Sequence, residues 1–280
     1  MTAKNFYIVI MAGGSGTRLW PMSRTSSPKQ LQKLCSNKSL IQETYERIKN
    51  LVPDENIYVS LVKKILATSQ KQLPEIPKEN FIVEKEAKNT APSFALIAAH
   101  LVKRDHYAIV ATIASDHTIE NYKDFQKYLL ATYRFVQDNP DYFTTMGIKP
   151  TRPETGFGYI ELGRKFPQSP FYHVKRFVEK PDIDTAQKYL KSGKFFWNAS
   201  YFTWRADKMF NIYAQFAPSI FKLIQKIIPL IGNNNHAKID KLYLEMPNKP
   251  FDTAIAEKSD KIAIIPADLV WADIGTWSSL

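Results

Sequence analysis

The residues best equipped for chemistry gather near the start of the chain. Ala12, Gly13, Gly14, Ser15, Gly16, Thr17 and Arg18 run together, and Pro28-Lys29-Gln30 follow. Gly13, Gly14 and Gly16 fall within four positions of a chain that has only 10 glycines in 280 residues. Glycine admits positive φ and lets a ligand approach the bare backbone. Successive N–H groups in such a turn form an anion-binding concavity, to which Arg18 and Lys29 would add full charges. That chemistry suits the polyphosphate of a nucleotide, although the same glycines could serve only a tight strand-to-helix turn. Neither common phosphate fingerprint is met. Thr17-Arg18 stand where a P-loop needs Lys-Ser/Thr, and Leu19 stands where the dinucleotide motif needs a third small residue.

The elements that must position these residues follow from the apolar pattern. Ile8-Val9-Ile10-Met11 has the length and β-branched content of a buried strand. Ser39 and Gln42 form a capping box that predicts a helix over 40–51, with Leu40, Thr44, Ile48 and Leu51 on one face. A strand over 57–61, a helix over 65–73 and an apolar run at 81–83 come next. Asn89 or Thr90 can cap a helix reaching 103, with Pro92 in its first turn. A strand over 108–113 empties into Ser115-Asp116-His117, and a helix over 122–138 follows. Strands alternating with helices predict a parallel sheet covered on both faces. Ligands of such sheets bind beyond the carboxyl ends of the strands, so the glycine loop, Asn89-Thr90 and Asp116 should meet on one rim.

The rhythm changes after residue 140. Strands over 142–148 and 172–178 are separated by Pro150, Pro153 and a Gly156-Phe157-Gly158-Tyr159 turn. After Glu179-Lys180-Pro181-Asp182 come a helix over 184–192, a run over 195–202 leading into a strand, and a helical stretch over 206–231. A short helix over 252–258, a strand over 262–265 and a terminal turn over 271–277 complete the chain. Neither a repeat nor a low-complexity linker interrupts it, which predicts one domain over 1–280. It falls into a regular first part, about 1–140, and a mixed second part, about 141–280.

Composition narrows the function classes. A hydrophobic content of 44% against 23% charged is that of a globular chain and excludes wholesale disorder. The formal charge of +11 favours anionic partners. It is spread out, with Lys63-Lys64 and Lys103-Arg104 as isolated pairs, which argues against nucleic acid. One cysteine, Cys35, excludes an intrachain disulfide and a cysteine zinc cluster, and is expected to be a small apolar filler. The start lacks a signal-peptide pattern and no apolar run could span a membrane, so a cytoplasmic protein is expected.

The run from Gly13 to Arg24, with Pro28-Lys29-Gln30, resembles the signature of sugar-1-phosphate nucleotidyltransferases. Its Leu19-Trp20-Pro21-Met22-Ser23-Arg24 continuation is similar to the mannose-1-phosphate guanylyltransferase branch. The resemblance extends through Asn89-Thr90-Ala91-Pro92, Ser115-Asp116-His117, 155–160, 177–182, Trp197-Asn198 and 271–277. It implies an α/β fold: a Rossmann-like, doubly wound, mixed but mostly parallel sheet flanked by helices. It implies in-line attack by mannose-1-phosphate on the α-phosphorus of GTP, giving GDP-mannose and pyrophosphate. Arg18, Lys29 and Lys180 would be catalytic. Ala12, Gly13, Gly14, Ser15, Gly16, Thr17, Lys88, Asn89, Thr90 and Ser115 would bind the nucleotide. Gly158, Glu179, Lys180 and Asn198 would bind the sugar phosphate, and Asp116 and Asp273 would hold Mg2+. His117 would orient the Asp116 loop. Neither nucleic acid nor membrane is an expected partner, and a homodimer stays open. Another nucleotide and sugar pair, or a non-catalytic relative that binds nucleotide sugar, are the alternatives.

Several positions depart from the family pattern. Glu84-Lys85 and Ala87-Lys88 replace Glu-Pro and Gly-Arg, Ser200 replaces a glycine, and Ala256 stands where many relatives have methionine. A β-helix or isomerase-like domain, common in relatives beyond the last block, is not expected within these 280 residues.

Overall fold

A computed structural model describes residues 4–14, 19–24, 27–275 and 277. β1 (Phe6–Met11) is buried along nearly its whole length, because it runs through the middle of a sheet covered on both faces. Parallel neighbours flank it, β2 (Ile57–Val62) on one side and β4 (Ile109–Ala114) on the other. β3 (Phe81–Glu84) extends the parallel set beyond β2. Alternate residues of β1 feed different cores. Ile8 and Ile10 point to α1 (Leu40–Ile48) and α4 (Tyr122–Asp138), where Ile41, Ile48, Phe125 and Leu129 are buried. Tyr7 and Val9 face α3 (Thr90–Arg104), which is apolar nearly all round as its sequence predicts. The short α2 (Leu66–Gln72) follows β2.

The second half joins the same sheet. Its strands are β6 (Phe143–Ile148), β7 (Tyr159–Lys165), β8 (Tyr172–Val178), β9 (Phe195–Asn198), β10 (Thr203–Arg205) and β11 (Ile262–Ala267). Among the described residues the sheet has ten strands, ordered β11-β8-β7-β9-β6-β10-β4-β1-β2-β3. Because β11 also pairs with β6, the strands β6, β11, β8, β7 and β9 close on themselves. α5 (Ile183–Ser192) precedes β9. α6 (Ala206–Phe216), α7 (Pro218–Ile227) and α8 (His236–Leu244) complete the helices. The expected α/β architecture is found, with its parallel part concentrated in β4-β1-β2-β3.

Four expectations need correction. The helical stretch over 206–231 is broken, because Pro218 has no N–H to continue a helix and instead opens α7. The short helix at 252–258 is a π-helical turn over Asp252–Ala256. The terminal turn contains β12 (Trp271–Asp273), which pairs antiparallel with β5 (His117–Ile119). Cys35 is exposed rather than a core filler, since it lies in a bend ahead of α1.

Candidate active site

The parallel strands deliver their carboxyl ends to one rim. Ala12 N–H donates to Ser60 O at 2.8 Å and Ser115 Oγ to Met11 O at 2.7 Å, so the ends of β1, β2 and β4 are tied together. Gln30 braces the start of the glycine loop from below, its amide donating to Ala12 O at 2.8 Å and to Gly14 O at 3.0 Å. A cleft of about 240 Å³ opens beside Gly13 and Gly14, and Lys63, Lys64 and Lys85 line it. Ser15, Gly16, Thr17 and Arg18 lie outside the described residues.

The remaining nucleotide-site candidates are placed differently. Lys88 donates to Leu244 O and Met246 O at the end of α8, the latter at 2.8 Å. Asn89, at φ 68°, caps α3 through its side chain, and Thr90 Oγ1 accepts Phe251 N–H at 2.7 Å. They tie α3 to the 244–251 segment beside the rim. Glu84, at the end of β3, is a buried carboxylate that accepts from the hydroxyls of Ser60, Ser93 and Tyr243. Burial raises its pKa against those three hydrogen bonds.

Pairing of β5 with β12 sets Asp273 opposite His117 and thereby beside Asp116, 157 residues apart in the sequence. Ile274 N–H donates to Asp116 O at 2.9 Å and locks the pair. Lys29 rises from a buried 3-10 turn, Lys29–Leu31, and reaches between the carboxylates. Its Nζ stands 2.8 Å from Asp116 Oδ2, 3.5 Å from Asp273 Oδ1 and 2.7 Å from Ile274 O. Burial opposes ionisation of Asp116, but His117 in its protonated form and Lys29 outweigh it and hold the pKa below the usual carboxylate value. Burial lowers the pKa of His117, against the pull of Asp116 and Asp273. His117 Nδ1 accepts from Trp271 Nε1 at 3.2 Å and lies 2.8 Å from Tyr201 OH. The indole can only donate, so the imidazole proton sits on Nε2, which faces Asp116 Oδ1 at 3.8 Å. His117 is thus fixed in orientation from behind.

Carboxylate or imidazole atoms of Asp116, His117 and Asp273 all lie within 4.8 Å of one another. Asp273 Oδ1 is buried and receives no hydrogen bond among the described residues. Two carboxylates, one with an oxygen held only by its 3.5 Å ion pair with Lys29, fit a hard divalent cation of the Mg2+ type.

The sugar-phosphate candidates form a second group. Gly158, Glu179 and Asn198 converge so closely that a Cβ on Gly158 would lie 2.6 Å from Glu179 Oε2. Asn198 is clamped by four groups. It accepts from Thr145 Oγ1 at 2.7 Å and Ser200 N–H at 3.1 Å, and donates to Asp252 Oδ1 at 2.9 Å and Ser200 Oγ at 3.2 Å. Lys180 pairs with Glu179 at 2.8 Å, and Glu257 accepts Glu179 N–H at 2.8 Å. Ser200 holds φ at 57°. Aromatic rings join the two groups: Phe157 meets Trp271 edge-on at 5.2 Å, and Trp271 meets His117 at 5.0 Å.

Two contributors escaped the sequence reading. Arg47 of α1 is 1% exposed and donates to His117 O at 2.9 Å, its guanidinium lying over Tyr122 and Phe125. Its place beside Thr44 and Ile48 on the buried helix face was the available signal. Asp252 offered none, since only the π-turn aims it at Asn198.

A parallel rim with a cleft beside its glycines, a carboxylate pair and a second polar pocket defines a nucleotide-handling α/β protein. The chain belongs to the Nucleotidyl transferase family, which it matches over residues 7–280. Among curated relatives it is 36% identical over 282 residues to the Salmonella typhimurium mannose-1-phosphate guanylyltransferase RfbM, covering 99% of this chain and 58% of that one. The Klebsiella pneumoniae mannose-1-phosphate guanylyltransferase is 34% identical over 278 residues, with 97% of this chain and 58% of the relative covered. The chain thus spans 58% of the length of these relatives. A crystal structure from Thermus thermophilus, described as a mannose-1-phosphate geranyltransferase, superposes with a TM-score of 0.89 at 26% identity, covering 99% of this chain and 78% of that one.

Proposed function

We propose that the chain carries the transfer centre of a mannose-1-phosphate guanylyltransferase, making GDP-mannose and pyrophosphate from GTP and mannose-1-phosphate in the cytoplasm. The observation that carries this reading is the convergence of Asp116 and Asp273 on Lys29, between the glycine loop and the Gly158-Glu179-Asn198 pocket. A sugar-phosphate oxygen attacks the α-phosphorus, and the bond from that phosphorus to the bridging oxygen breaks. Pyrophosphate departs with the electron pair, and no proton need move. Such transfers depend on positioning and charge neutralisation.

In this reading the 12–17 backbone and Arg18 receive the polyphosphate, and the lysine-lined cleft beside Gly13 and Gly14 takes the nucleoside. Glu179 holds sugar hydroxyls, and Asn198, whose amide is filled by Thr145, Ser200 and Asp252, fixes the wall of that pocket. Lys180, whose side chain is 60% exposed, brings in the sugar phosphate by exchanging its pairing with Glu179 for the incoming anion. Asp116 and Asp273 would hold Mg2+, which supplies charge neutralisation at the phosphates.

Pyrophosphate release, measured over a panel of nucleoside triphosphates crossed with sugar-1-phosphates, is expected to be fastest with GTP and mannose-1-phosphate. No release with any pair would refute the reading. Asp116→Asn and Asp273→Asn are each expected to cost about a hundredfold or more in rate, the scale of a lost metal ligand.

A further inference from the structure

We infer that Lys29 is an internal counter-ion for the Asp116–Asp273 pair, and that an arriving polyphosphate draws it away, opening the carboxylates to the divalent cation. Nucleotide and cation would then bind in a mutually reinforcing way. The inference rests on the nucleotidyl-transfer reading for the identity of the polyphosphate.

Three observations carry it. Lys29 Nζ reaches both carboxylates and Ile274 O, so its charge is already spent on the groups a cation would need. Its side chain is 6% exposed, against 28% and 25% for the two carboxylates, so the ammonium sits beneath them and out of water. A divalent cation on those oxygens would face that ammonium at ion-pair range with little water between to screen the repulsion. The third observation concerns where the lysine is rooted. Its neighbour Gln30 holds the carbonyls of Ala12 and Gly14, and its neighbour Pro28 lines the cleft beside those glycines. The base of the side chain therefore lies between the carboxylates and the loop that would receive phosphate. A flexible four-carbon stem with three rotatable donors can serve either side. Arg would be a poor substitute, because its planar fork lacks that freedom.

Mn2+ binding, followed by electron paramagnetic resonance without sugar phosphate and without turnover, tests this directly. K29M is expected to bind Mn2+ about tenfold more tightly than wild type in the absence of nucleotide, a factor ordinary for coupled ligands. A saturating GTP analogue with a methylene bridge between the α- and β-phosphorus should tighten Mn2+ binding by a larger factor in wild type than in K29M. Only wild type has a lysine to release. Unchanged or weaker Mn2+ affinity in K29M would overturn the inference. So would equal enhancement by the analogue in both proteins, which would mean the lysine acts only through its field. Should K29M not fold unaided, K29Q and the rise of its Tm with Mn2+ read the same quantity. A rise no greater than that of wild type would again overturn it. Because pyrophosphate release is scored separately, a failed exchange and a failed assignment of the reaction give different results.

Discussion

Asp252 shows how a single buried group shapes the sugar-side pocket. Burial, and then the charge of Glu179, push its carboxyl up to about 7. The folded protein therefore holds a proton that the unfolded chain releases near its ordinary value of 3.8. Stability from this group is full below that value and is lost as pH rises towards about 7, with a slope of up to about 1.4 kcal/mol per pH unit. Wild type is expected to lose Tm between about pH 5 and pH 7 relative to Asp252→Asn, which keeps an acceptor for the Asn198 amide. Parallel Tm curves for the two proteins would remove the assignment. Individual residues were unevenly legible from the sequence. Asp116, Asp273, Lys29 and Glu179 stood in recognisable blocks, and the structure gathers them into two neighbouring groups. Asp252 and Arg47 did not, because their roles come from a π-turn and from burial of a cation on a helix face, neither of which has a local pattern.

At the scale of elements, the short pairing of β5 with β12 matters more than its length suggests. Trp271 supports it from both sides, with His117 at 5.0 Å and Phe157 at 5.2 Å, and adds a hydrogen bond to the imidazole. Trp271→Ala should lower the transfer rate by about 10- to 100-fold, the usual cost of losing a group that orients a metal site. Trp271→Phe, which keeps a ring there, should stay within a few-fold of wild type. Matched rates for Trp271→Ala and wild type would show that the strand pair stands without its aromatic support. The parallel half was legible because its strands are continuous apolar runs and its helices keep a 3.6-residue period. β7 escapes that pattern because its burial fades from Tyr159 towards an exposed Lys165. β12 escapes it because three half-buried residues carry no periodicity.

Over the whole molecule, a formal charge of +11 without a basic block should act as a diffuse field on small anions. For the proposed transfer, raising salt should lower kcat/KM by up to about tenfold and leave kcat nearly constant, since steering affects encounter rather than the bound complex. A fall in kcat of the same size would place the effect inside the site. The span of the carboxylate centre, from Lys29 in an early turn to Ile274 just past β12, has a consequence for how the protein is made. Synthesis proceeds from the N-terminal end at about 5–20 residues per second, and the parallel strands β1 to β4 emerge long before β12. Asp116 and Lys29 wait on the ribosome for a partner that is translated 157 residues after Asp116. A nascent chain can thus assemble its parallel strands and the helices over them while still lacking the second carboxylate. The centre closes only once Asp273 has left the ribosome, so a chain interrupted between β11 and β12 would carry the sheet without the second carboxylate.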